Sequence, residues 1–262
     1  MSTRIAAHLH AWSLWRVWTY LGIQDFRARY RKALLGPAWV VVTQVFWALG
    51  VGVIYSHLLN QPMEFFLPYL LIGFTLWGFI SAGMIDGGSA FLGSQGYITQ
   101  FTFPLETYVL RNWVTSLVPL GAGLLVFLGV CLAYQRPVAF GLFWAIPGLV
   151  ILAFVGLTHT RIVAFLSVPV RDLPHAISSA MQLLIFMTPI MFTAEMLRNR
   201  GLDAIYLFNP LYYLIEVVRH PLMNNEPAPG LIYGVSLGYL AVIGGISMFV
   251  ERLLARRVVY LL

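Results

Sequence analysis

The sequence predicts an all-α integral membrane protein. It has six transmembrane helices, an N-terminal amphipathic helix at the membrane surface, a short cytoplasmic helix between spans two and three, and re-entrant helices between spans five and six. Three observations carry this reading. Of 262 residues, 60% are hydrophobic and only 10% are charged. A soluble domain carries about 25% charged residues, so this chain needs the bilayer as its solvent. Six apolar segments, 38–58, 65–85, 113–134, 141–166, 176–194 and 231–250, are bounded by charge, proline or glycine, and each approaches the about 20 residues that cross hydrocarbon. Finally, four cationic side chains in Asp25-Phe-Arg-Ala-Arg-Tyr-Arg-Lys-Ala-Leu-Leu-Gly36-Pro37 stand directly before the first span. Lys and Arg stay behind when a chain is translocated, so they mark the cytoplasmic face.

Residues 1–36 form the first unit and 37–262 the six-span unit. The first has no compact apolar core ending in small residues, as a cleavable signal peptide would. At helical spacing Trp15, Trp18, Phe26 and Tyr30 fall near one face, and Tyr20, Gln24, Arg27 and Arg31 on another. A basic helix with an aromatic stripe lies in the headgroup plane, either as an anchor or as a docking element. Gly36-Pro37 then breaks the chain before the first span.

Six crossings put both termini on one side. That side collects Arg4, Arg16, Arg27, Arg29, Arg31, Lys32, Arg111, Arg171, Arg252, Arg256 and Arg257; the other has only Arg136, Arg198, Arg200 and Arg219. Eleven against four places the termini in the cytoplasm, with Arg161 inside the fourth span. The loop from Gly93 to Pro104 is cytoplasmic yet nearly uncharged. Its Tyr97, Ile98, Phe101 and Phe103, at near-helical spacing, predict a short helix that inserts into a protein partner's groove. The fifth span is the shortest, and Pro189 kinks it or ends it early. Residues 204–218 are apolar, too short to cross and interrupted by Asn209-Pro210, which predicts two half-helices dipping into the outer leaflet and returning.

Enzyme chemistry finds no footing. There is no G-x-x-x-x-G-K-[ST], no HExxH and no G-x-S-x-G. His8, His10, His57, His159, His175 and His220 lack metal-ligand spacing, and the lone Cys131 is a packing residue. Asp86-Gly87-Gly88 resembles the start of a membrane phosphotransferase motif, but the later carboxylates that its metals need are missing. No catalytic residue, metal or cofactor is therefore expected in this chain. The net charge of +6 reflects inside-positive topology and attraction to anionic lipid headgroups, not nucleic acid. Asp86, Arg111 and Arg161 sit near cytoplasmic ends, where they snorkel cheaply. Arg171-Asp172 reads as a local ion pair, and Glu195, Arg198, Arg200, Asp203 and Glu216 as solvated charges of the outer loop. Trp39, Phe46, Trp47, Tyr55 and Trp77 either pack helices or line a path for something with flat apolar faces, such as sugar rings.

The run Asp25-x-Arg27-x-Arg29-Tyr30-Arg31-x-x-Leu34-Leu35-Gly36-Pro37-x-Trp39 resembles the start of the first span in type-2 ABC exporter permeases of the polysaccharide, O-antigen and polyol-phosphate export branch. The 93–104 loop, Phe208-Asn209-Pro210-Leu211 and Thr188-Pro189-Ile190-Met191-Phe192 agree with it in order and position. The resemblance implies a half-transporter that works as a homodimer in the bacterial inner membrane. Two copies of a separate ATPase subunit would bind the ATP and magnesium. It implies that Gln95, Tyr97, Ile98, Gln100 and Phe101 belong to a coupling helix seated on that ATPase. It implies a cargo of glycan on an undecaprenyl diphosphate carrier, for which Arg27, Arg29, Arg31 and Lys32 supply cations. It also implies that residues about 196–222, with Phe208, Asn209, Pro210, Tyr212 and Tyr213, form paired re-entrant helices capping the outer end of the path. A drug or lipid efflux permease of the same type is the alternative, and a membrane-embedded transferase a more distant one.

Overall fold

The computed structural model describes residues 2–261, and side chains for all of these except residues 2–7, Thr99 and Val259. Arg4, counted above among the cations, lies outside the described side chains, and the outermost limits of the two predicted units, Met1 and Leu262, lie outside the described residues. Among the described residues the elements are α-helices and short 3₁₀ turns, with no strand.

Two helices, α1 (Ser2–Ser13) and α2 (Trp15–Arg29), precede Gly36, whose φ of +53° is a left-handed turn that glycine adopts without strain. Pro37 then opens a turn into α3 (Trp39–Leu58). There follow α4 (Met63–Ile85), α5 (Ser89–Leu92), α6 (Gln95–Gln100), α7 (Leu105–Ala133), α8 (Ala139–Ser167) and α9 (Leu173–Met187). The chain continues through α10 (Ala194–Arg198), α11 (Ala204–Leu207), α12 (Pro210–Asn224), α13 (Gly230–Leu254) and α14 (Val258–Leu261).

α4 is apolar around nearly its whole circumference, and such a helix belongs in the middle of a bundle. Phe66, Leu70, Ile72, Leu76 and Ile80 on it are fully buried, against α3, α7, α8, α9 and α12. Among the described residues, five helical segments are long and apolar enough to cross a membrane: Gly36–Leu58, Met63–Leu92, Leu105–Ala133, Ala139–Ser167 and Gly230–Leu254. The segment predicted as the fifth span is the exception. α9 has 15 residues, a length of about 22 Å at the helical rise. It stops because Pro189 bars the α conformation from the residue before it; Thr188 is extended, with φ −106° and ψ 130°.

The interrupted segment folds back into the bundle as α11 and α12, halves of very unequal length. Asn209 starts α12: its Oδ1 accepts from the Leu211 N–H at 3.0 Å, and Pro210 occupies the first turn. α12 runs antiparallel to the first half of α8. A Cβ on Gly141 would stand 2.5 Å from the Pro221 carbonyl and one on Gly148 2.3 Å from the Val217 carbonyl, so glycine is what lets the two backbones touch. The C-terminal end of α12 is thus level with the start of α8, and its N-terminal end lies deeper.

A second apolar cluster sits at the opposite, basic end, where α1 and α2 lie against α7. Trp18, Phe91, Tyr108, Leu110, Phe165 and Val250 form it. The Trp18 indole donates to the Ala11 carbonyl at 3.1 Å, and the Thr115 hydroxyl to the Gly22 carbonyl at 3.0 Å. Trp15 is not on this inward face. It is 55% exposed, with the Arg16 guanidinium 5.4 Å from its ring centroid. The packed face is Trp18, Gly22 and Phe26 instead, which follows a four-residue step that Trp15 does not share.

Candidate functional site

An open cleft of about 670 Å³ runs between α3, α4 and α9. Trp47, Phe74 and Trp77 give it flat aromatic walls, and Thr43, Gln44, Ser81, Ser178 and Gln182 set hydroxyls and amides among them. Gln44 Nε2 donates to the Pro119 carbonyl at 3.2 Å, which leaves its Oε1 without a partner; the Ser81 hydroxyl has none either. Of the aromatics singled out above, the cleft contains Trp47 and Trp77 but not the other three. Trp39 and Phe46 are exposed elsewhere on α3, and Tyr55 packs against the core.

At its outer end the cleft reaches Met191, just past the break that ends α9. A helix end in hydrocarbon leaves carbonyls that something must satisfy. Here side chains do it. Asn209 Nδ2 donates to Thr188 Oγ1 at 2.8 Å and to the Met187 carbonyl at 3.3 Å, while the Thr188 hydroxyl donates to the Leu184 carbonyl at 2.8 Å. Arg219 Nη2 reaches the Pro189 carbonyl at 2.8 Å. The same guanidinium is paired with Glu216, with Nε at 3.0 Å from Oε1, and lies 4.0 Å from the Tyr69 ring centroid. The Tyr213 hydroxyl donates to the Leu207 carbonyl at 3.0 Å, and Tyr212 packs edge-on to Tyr206 and Tyr213. Of the expected gate residues Phe208, at 87% exposure, and Pro210 are exposed, while Asn209, Tyr212 and Tyr213 are at least partly buried.

Glu216 is therefore not a solvated loop charge. It and Arg219 are buried together because α12 returns into the bundle. The signal was present: a Glu and an Arg three residues apart within Leu214-Ile-Glu-Val-Val-Arg219 mark a charge pair inside an apolar helix.

At the basic end α6 occupies the middle of the uncharged loop. Ile98 turns inward to the second cluster, while Tyr97 and Phe101 are about half exposed and stack at 6.3 Å. Gln95 and Gln100 are the exposed ends of this helix. The Arg111 guanidinium lies 5.2 Å from the Tyr97 ring centroid. Arg27, Arg31 and Lys32 are exposed, whereas Arg29 pairs with Asp86 at 3.0 Å.

Arg111 and Arg161 do not snorkel. Arg111 grips Asp25 through Nε and Nη2, the latter at 2.6 Å, and Arg161 grips Glu106 through Nε at 3.0 Å and Nη2. Helices meeting at this end supply each arginine with a carboxylate that composition alone could not assign. By contrast Arg171 and Asp172 are both exposed and form no ion pair with each other.

His8 closes this end. Its Nε2 lies 3.0 Å from Glu251, and its Nδ1 3.8 Å from Glu106. The hydrogen bond to Glu251, aided by the charge of both carboxylates, raises its pKa above the ordinary 6.5 against the opposing effect of burial. A raised pKa means that the protonated form is favoured by folding. Its contribution is complete below the ordinary value and fades as pH rises through the raised one. Proteolytic nicking of α1 in the purified chain is expected to accelerate as pH rises from the ordinary histidine value through the raised one, with His8→Gln giving a flat profile.

The sequence profile of the ABC-2 type transporter family matches residues 16–223. The chain belongs to this family. Among curated ABC-2 relatives, it is 25% identical over 215 residues to the O-antigen export system permease protein RfbA of Myxococcus xanthus, covering 79% of this chain and 82% of that protein. It is 22% identical over 234 residues to the RfbA protein of Klebsiella pneumoniae, covering 86% of this chain and 88% of that protein. The ABC-2 match spans α2 through α12 and so includes the cleft, α6 and the Arg219 node. This ABC-2 transporter is a multi-pass membrane protein and a transport subunit.

Proposed function

We propose that the chain is the membrane-spanning subunit of an ATP-driven exporter of polysaccharide, moving a lipid-linked glycan of the O-antigen class out of the cytoplasm. The mixed lining of the α3–α4–α9 cleft carries this reading. Trp47, Phe74 and Trp77 offer faces on which sugar rings slide, and Gln44, Ser81, Ser178 and Gln182 offer hydrogen bonds to their hydroxyl rims. A path for drugs or lipid tails has no use for so many hydroxyl- and amide-bearing side chains among its aromatics. The names of the two relatives agree with it.

The cleft is open along α3 and α9, two sparsely buried segments of the bundle. Two copies facing each other across these helices close the clefts into one channel. The basic end faces the cytoplasm of the bacterial inner membrane. There, Tyr97 and Phe101 on α6 seat on a separate ATPase subunit, one per copy, which binds ATP and magnesium. Arg27, Arg29, Arg31 and Lys32 attract the diphosphate of an undecaprenyl carrier. At the outer end, Asn209, Pro210, Tyr212 and Tyr213 hold the re-entrant cap and Phe208 edges it.

The test is export in cells lacking the chromosomal copy. The wild-type chain is expected to restore surface glycan, and the triple variant Arg27→Gln, Arg31→Gln, Lys32→Gln to restore about a tenth as much while still purifying as a dimer. Surface glycan that is indifferent to the presence of the chain overturns the function; full restoration by the triple variant overturns the role of these cations.

A further inference from the structure

Between α2, α5 with the Gly93–Ser94 turn that follows it, and α7 lies a polar cavity of about 220 Å³. Asp25, Arg29, Ser89, Tyr108, Arg111 and Asn112 are among its walls. Two donors there have no partner among the described residues: the Tyr108 hydroxyl, on a side chain 2% exposed, and Arg111 Nη1. Carboxylates stand nearby but are already taken. Asp25 accepts from the other two nitrogens of Arg111, and Asp86 accepts from Arg29 Nη1 at 3.0 Å. Asn112 Nδ2 is spent on the Asp86 carbonyl at 2.8 Å. What remains unmatched beside the void is N–H and O–H, on two buried atoms. Folded proteins leave few buried donors unmatched, and each such group points to a missing acceptor.

The void is several times the about 30 Å³ that a water occupies in the liquid, and its donors come from two elements, Tyr108 and Arg111 one turn apart on α7 and Arg29 at the end of α2. A tetrahedral oxyanion presents acceptor oxygens toward both. We propose that this cavity is a phosphate-binding site in which the Tyr108 hydroxyl, Arg111 Nη1 and the Arg29 guanidinium are the donors. The phosphate comes either from a lipid headgroup at the membrane surface or from a free phosphate or diphosphate. Because Arg111 also lies on the Tyr97 ring, a bound phosphate fixes the guanidinium that backs α6. The proposal deepens the role given to Arg29 above and rests on that reading only there.

The full chain, stripped of lipid in a maltoside detergent that carries no phosphate, is titrated in two arms with thermal unfolding as the readout. One arm adds inorganic phosphate or pyrophosphate against chloride at matched ionic strength. The other adds short-chain phosphatidylglycerol against the matching diacylglycerol. Stabilisation in the first arm identifies a free anion, and in the second arm alone a headgroup. In either case Tyr108→Phe, which keeps the ring and removes only the hydroxyl, is expected to weaken binding about tenfold, and Arg29→Gln by a similar factor. Arg111 is left intact because its loss would also strand Asp25. No stabilisation in either arm, or wild-type affinity in Tyr108→Phe, overturns the site. Loss of glycan export with phosphate binding unchanged touches only the proposed function.

Discussion

Arg219→Met is expected to destabilise the purified chain by about 3–5 kcal/mol and to abolish export. Arg219 is fully buried and Glu216 nearly so. Removing the guanidinium leaves a carboxylate in the bundle with no counter-charge, and leaves the Pro189 carbonyl, where α9 breaks, only the longer bond from the Tyr69 hydroxyl at 3.3 Å. The Tyr69 ring loses the cation it covers. The double variant Glu216→Gln, Arg219→Met removes both charges, and is expected to recover most of the stability while export stays impaired, because the break has lost its charged donor. Thermal unfolding of the three forms in one detergent measures this. A single variant as stable as the wild type would show that the pair is solvated.

Tyr97→Asp and Phe101→Asp are expected to do the opposite: little change in stability, and loss of transport. Both side chains are about half exposed and support each other by stacking, with Ile98 beneath as the anchor. A carboxylate placed in an apolar contact costs its desolvation with no compensating partner. Each substitution is therefore expected to weaken the hold on an ATPase subunit by about 2 kcal/mol, about thirtyfold in affinity. Co-purification of the ATPase with wild-type and variant chains reads this directly. Retention equal to wild type by both variants removes α6 as the docking element.

The class of fold was legible because it rests on sums. Sixty per cent apolar residues cannot be hidden by any local arrangement. Family membership was legible for a different reason: Asp25 through Trp39 packs an ion-pairing residue, a basic run, a glycine turn and a proline into one order. What composition could not show is pairing across helices. Arg111 and Asp25 are 86 residues apart, and Arg161 and Glu106 are 55 apart. Each residue alone looks like a snorkelling charge, and only packing at the basic end makes it half of a bridge. Glu216 was misread for a related reason. Glu195, Arg198 and Arg200 before it are exposed, and the spacing of Glu216 and Arg219 marks a pair without saying that α12 carries it back inward. Trp15 and Trp18 differ by less than one helical turn, too fine an angle to resolve before α7 is in place.

α9 has a further consequence for the film around it. Fifteen residues fall about 8 Å short of the hydrocarbon thickness, a deficit that lipid meets at the rim of this helix, outside the seam between two copies. Bilayers answer such hydrophobic mismatch by thinning, drawing the headgroups of the two leaflets toward each other. The dent forms along the helix that supplies Ser178, Met181, Gln182 and Phe186 to the cleft. A cargo tethered to a long isoprenoid tail would meet its lowest barrier to flipping there, beside the cleft proposed to pass its sugars.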